Sequence, residues 1–132
     1  MSINSALYSR LSGYAGLTAL VSTRIYPELR DQGAAAPNVT IHEISAVPVH
    51  AMGADPGLIR LRMQVSSWDS TYDGARLVAR QVGTALSRWS DSGTGIQAVW
   101  LDNEVAFYDE AHRLHQIAQD FIVLFVGAIG AL

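Results

Sequence analysis

Residues 58–67 set the strongest constraint on the fold. Ile59, Leu61, Met63 and Val65 alternate with Arg60, Arg62 and Gln64, the period-two pattern of a strand with one face in a core and the other outside it. Such a strand needs a layer over its apolar face, and the next segment predicts one. From Ser70 onward, Tyr72, Ala75, Val78, Val82, Leu86 and Trp89 step by three or four positions, which is one stripe of a helix facing a sheet. Ser70, with Asp73 three residues later, reads as an approximate capping box. Gly93 and Gly95 mark the far end.

The remaining segments complete a single domain over residues 1–132. Asn4 or Ser5 can cap a first helix with Leu7 and Leu11 on one face, and Gly13 interrupts it. A second short helix at 15–21 carries Leu17, Leu20 and Val21, and ends before Pro27, which biases Tyr26 toward extended backbone. After a Gly/Ala loop at 28–38, residues 39–47 read as a strand. Val39, Ile41 and Val47 share one register there and Ile44 falls in the other, which predicts a bulge or a strand covered on both sides. Two prolines and two glycines make 48–57 a flexible connection. Two more strands are expected, at 96–101 (an extension to Tyr108 stays open) and at 114–126, joined by the turn Asp109-Glu110-Ala111-His112. The order predicts an α+β fold: a four-stranded, mainly antiparallel sheet with helices packed on one face.

The last strand does not fit a sheet covered on one side, which should alternate. Phe121-Ile122-Val123-Leu124-Phe125-Val126 is apolar on both faces. One helix layer covers one face; a neighbouring subunit or the N-terminal segment must cover the other. Composition favours the neighbour, because only 16% of residues are charged, against about 25% in an ordinary soluble domain. Phe121, Val123 and Phe125 are therefore candidate interface residues. Arg60 and Arg62 join them, either reaching acids of the next protomer such as Asp102 or Glu104, or standing as solvated charges that guard an edge. The 45–57 segment, with His50 and Met52, is expected either to be mobile and to order on contact with a partner, or to be a plain surface loop.

Several functions are disfavoured. A net charge of −3 argues against general affinity for nucleic acid, which needs many cations. Without cysteine there is no disulfide or thiolate chemistry. The start of the chain has no basic segment followed by an apolar one, and the longest apolar run, 121–132, is shorter than the ~18 residues of a membrane span. A soluble protein made inside the cell is expected. His112 and His115 sit beside Asp109 and Glu110 at a turn into a strand, where residues three apart point to opposite faces, so no shared metal is expected. No nucleophile elbow is present, and Ser92-Gly93-Thr94-Gly95 lacks the rest of a phosphate loop. No catalytic residue, metal ligand or cofactor site is expected.

A set of motifs in order resembles the phage tail-completion family. Ala19-Leu20-Val21, then Arg24-Ile25-Tyr26-Pro27, then a Gly/Ala loop ending in Pro37 and a strand, are similar to its first half. The run from Arg62 to Arg76, containing Trp68, Tyr72 and Ala75, resembles its strand-to-helix junction, and Asp120-Phe121-Ile122-Val123 resembles its last strand. The apolar extension 127–132 departs from the pattern. The resemblance implies a tail terminator or head–tail joining protein in the neck of a virion, assembled in the host cytoplasm. It implies a homohexameric ring that caps the tail tube, meets the tail-tube protein and the head–tail connector or stopper, and lets DNA pass through its lumen. Competing expectations are a head-closure adaptor on the connector side and, from another class, a small hydrolase-type enzyme using His112, His115 and Asp109.

Overall fold

The computed structural model describes residues 3–27, 36–49 and 57–126. Two helices, α1 (Ile3–Ser12) and α2 (Ala15–Val21), precede β1 (Ile25–Pro27), β2 (Asn38–Pro48), β3 (Leu58–Asp69), α3 (Tyr72–Leu86), β4 (Ile96–Asp109) and β5 (Leu114–Val126). The strands form one sheet in the order β1-β2-β3-β5-β4.

The sheet has five strands and is mixed, where the sequence predicts four. The extra strand, β1, pairs parallel with β2 through Ile25–Val39, Tyr26–Thr40 and Pro27–Ile41. Three residues are too few to show a period, and Pro27 removes a donor, which fits an edge position. The other pairings are antiparallel. The predicted bulge in β2 is present, as a register shift between Glu43 and Ser45 around the exposed Ile44.

α3 starts later than expected. Thr71, not Ser70, is the cap, and its Oγ1 accepts a hydrogen bond from the Gly74 N–H at 3.1 Å. The helix ends at Leu86, so Trp89 falls outside it. Trp89 instead flanks the Arg10 guanidinium, which lies 5.7 Å from its ring and donates to the Ala85 carbonyl at 2.9 Å. Tyr72 leaves the buried stripe as well and is exposed.

All three helices cover the same face. Leu7, Leu11, Leu17 and Val21 of α1 and α2 share one core with Val78, Val82 and Leu86 of α3 and with Val39, Ile41, Leu61, Met63 and Val65 of the sheet. The N-terminal segment therefore does not cover the second face. Phe121, Val123 and Phe125 belong to this same core. They point under the chain's own helices, which corrects their assignment as surface for a neighbour. The cause is topological: β5 is inserted between β3 and β4, so the last strand is central and buried.

Candidate interaction surface

The helix-free face is built from alternate residues of β3, β5 and β4. Cross-strand pairing sets Arg62 beside Ile122 and Ile122 beside Trp100; Gln64, Asp120 and Asn103 form the next row. Arg62 holds two acids of its own chain, Asp102 Oδ2 at 2.6 Å through Nη2 and Asp120 Oδ2 at 3.2 Å through Nη1. Gln64 Nε2 donates to the other Asp120 oxygen at 3.2 Å. The Asp102 hydrogen bond is the main reason the Arg62 pKa lies above its ordinary value. The expected pairing with Asp102 is thus made within one chain, not to a neighbour. Arg60 is exposed, and lines a shallow cleft with Ser45, Val47, Arg62 and Ile122.

On the helix side, Glu104 of β4 is bound from two directions. Arg76 Nη1 lies 2.6 Å from one carboxylate oxygen and Gln119 Nε2 donates to the other at 2.9 Å. The Glu104 hydrogen bond is likewise the first cause of the raised Arg76 pKa. At the β4–β5 turn, Asp109 receives the His112 ring nitrogen at 2.9 Å and the backbone N–H groups of Ala111 and His112 at 3.0 and 3.3 Å. The His112 hydrogen bond leads in lowering the Asp109 pKa. His115 stands apart from this pair, between the rings of Tyr108 at 4.7 Å and Tyr72 at 6.0 Å. Among the described residues, no group of three His, Cys, Asp or Glu side chains is placed to hold a metal.

The motif residues hold corners of the fold. Arg24 donates through Nε to the Pro37 carbonyl at 2.8 Å and through Nη2 to that of Leu20 at 3.4 Å, joining the end of α2 to the entry of β2. Ile25 is in the core beside half-buried Tyr26 on β1. Trp68 Nε1 bonds Thr40 Oγ1 at 3.1 Å across β3 and β2. Ala75 packs with Ala79 against Ile117. His50 and Met52 lie outside the described residues, and within the 45–57 segment Ser45, Ala46, Val47 and Pro48 belong to β2.

What the sequence reading missed is the exposed apolar row of β4, whose extension past Leu101 it left open. Residues 100–108 are exposed without exception, and Trp100, Leu101, Val105, Phe107 and Tyr108 keep from 38% to 54% of their surface open. The available signal was the run Val105-Ala106-Phe107-Tyr108 just before a turn. Two register shifts, at Ile96/Ala98 and Leu101/Asn103, break the period and conceal it. A long apolar strand at a sheet edge leaves both backbone groups and apolar side chains without cover.

The sequence matches the family described as tail completion protein gp17 over residues 5–125. The chain belongs to this family. Among curated protein sequences none matches. The fold is similar to that of a chain in a solved structure of the virion of a native gene transfer agent particle, with a TM-score of 0.81, 20% identity and 96% of each chain covered. This member of the tail completion family is a structural component of the virion tail, and the family is not one of enzymes.

Proposed function

We propose that the chain is the tail terminator: copies close into a ring, of six by the family resemblance, that caps the tail-tube protein and offers its other side to the head–tail connector or stopper. The observation that supports this is β4. The strand leaves five large apolar side chains uncovered, while its two central carboxylates, Asp102 and Glu104, are neutralised by Arg62 and Arg76 of the same chain. A surface with five uncovered apolar side chains, no helical cover and its central carboxylates held by arginines of the same chain favours protein over solvent. The acidic balance of the chain gives DNA in the lumen no general grip.

Capping requires contacts that close around a ring while the exposed side of that ring does not repeat the tube. Purified protein added to polymerising tail tubes is expected to stop growth at the added ring and to render the tubes competent for joining to filled heads. Unchanged growth, with the protein recovered on filled heads before tails are added, would replace this reading with a connector-side adaptor.

A further inference from the structure

The sheet has two open edges on one molecule, and they are complementary. On one side, among the described residues, β4 has no partner strand beyond β5. After its second register shift it runs regularly from Asn103 to Asp109, with no proline, lysine or arginine in the segment and therefore little of what usually blocks strand addition. On the other side β1 pairs with β2 at Val39, Thr40 and Ile41, and among the described residues the 43–48 edge of β2 has no strand beside it. Its exposed apolar residues are Ile44 and Val47.

Strand direction fits. Three successive antiparallel pairings separate β2 from β4, so the two run in opposite senses. A second copy placed alongside in the same orientation presents its β2 antiparallel to the first copy's β4, with the helices of both on one side. Face alternation also fits. Val105 belongs to the row of Ala118 and Ser66, and Val47 to the row of Arg60 and Leu124; both rows are on the helix-free face. Setting Val105 opposite Val47 puts Phe107 opposite Ser45 with each side chain on its own face, and the bulge at Ile44 then brings Glu43 to Tyr108, both on the helix side.

This register shifts each copy along the strands by about six residues, or about 20 Å. The paired strands β2, β3, β5 and β4 span about 19 Å across at the usual strand spacing. Equal shift and width tilt the strands roughly 45° from the ring axis, at the upper end of the range closed barrels adopt. The same displacement that lets β4 pass the step made by β1 is thus one that a closed ring of sheets can use.

We infer that neighbouring copies of this chain join head to tail by pairing the 104–108 edge of β4 with the 43–48 edge of β2, making one sheet continuous around the ring. This rests on the ring reading above and adds the edges that build it. The chain has no cysteine, so single cysteines report without background. V47C and V105C alter exposed side chains and are expected to keep the wild-type melting temperature. With a short flexible bis-maleimide, each variant alone is expected to give only monomer, and their mixture to give dimer and nothing larger. The double variant V47C/V105C is expected to give a ladder up to the ring. Dimers from V105C alone would overturn the proposal in favour of a twofold β4–β4 contact. Absence of the mixed dimer in protein that sediments as a ring would also overturn it, placing the interface elsewhere and leaving the ring intact. Sedimentation as a monomer at every concentration, with no cross-link in tube-bound protein, would defeat both this pairing and the ring.

Discussion

β4 and β5 are neighbours paired along nearly their whole length, both are rich in apolar residues, and they have opposite fates. In β5, Phe121 and Val123 are fully buried and even Ile122, on the helix-free face, is 2% exposed. In β4 the row from Trp100 to Tyr108 is bare. Hydrophobicity does not separate them; position does. β5 lies between two strands with α3 packed over it, whereas β4 is last in the sheet and only its first part, Ile96 and Val99, reaches the core. An apolar residue therefore stabilises the fold in one strand and stays uncovered in the other.

The largest test of this contrast is F121A. Removing a fully enclosed ring leaves a cavity and is expected to cost about 3–5 kcal/mol of unfolding free energy, read as a lower denaturant midpoint. A loss under 1 kcal/mol would mean that β5 is not the centre of the core. Next is G95A, at the end of the turn into β4. Gly95 has φ +84 and a Cβ there would stand 2.7 Å from the Val126 carbonyl, while its own carbonyl accepts the Val126 N–H at 2.9 Å. Left-handed strain and crowding together are expected to cost about 2 kcal/mol, in the same assay; a neutral change would show that the β4–β5 end is not fixed as described.

The counterpart of F121A is F107A. It removes as large a ring from β4, yet is expected to change monomer stability by no more than about 0.5 kcal/mol while weakening self-association in sedimentation. Equal destabilisation by the two substitutions would erase the contrast between the strands.

Much of the architecture was legible. The alternation of β3 and the stripe of α3 carry their own period, and the bounds of α2 and β5 match the expected ones. Which apolar residues are buried and which stay exposed was not, and the reason is physical. Phe121, Val123 and Phe125 form the most apolar segment, but a sequence does not say which strand the sheet places in its centre. Arg62 and Asp102 were recognised as partners, yet spacing cannot tell a contact within a chain from one between copies. In β4 the two bulges shift the alternation, so Val105 and Phe107 look unpatterned although they share a face. β1 is too short to carry any pattern.

The smallest expected effect concerns the turn that joins the two strands. Asp109 has its pKa lowered chiefly by the His112 hydrogen bond. A carboxyl with a depressed folded pKa adds stability above its unfolded value, and this is lost as pH falls through the lowered one. H112A is expected to move the Asp109 titration upward toward an ordinary carboxyl in an NMR pH series, with the fold and the β4 edge unchanged. No movement would show that the turn is held by its backbone N–H groups alone.

The central claim is that β4 is uncovered in the single chain and covered in the ring. Hydrogen exchange at the amides of 103–109, compared between dilute protein and protein bound to tail tubes, addresses it directly. The expected result is fast exchange at the outward-facing amides of β4 in the dilute chain and strong protection in the bound state, with β5 protected in both. Equal exchange of β4 in the two states would contradict it.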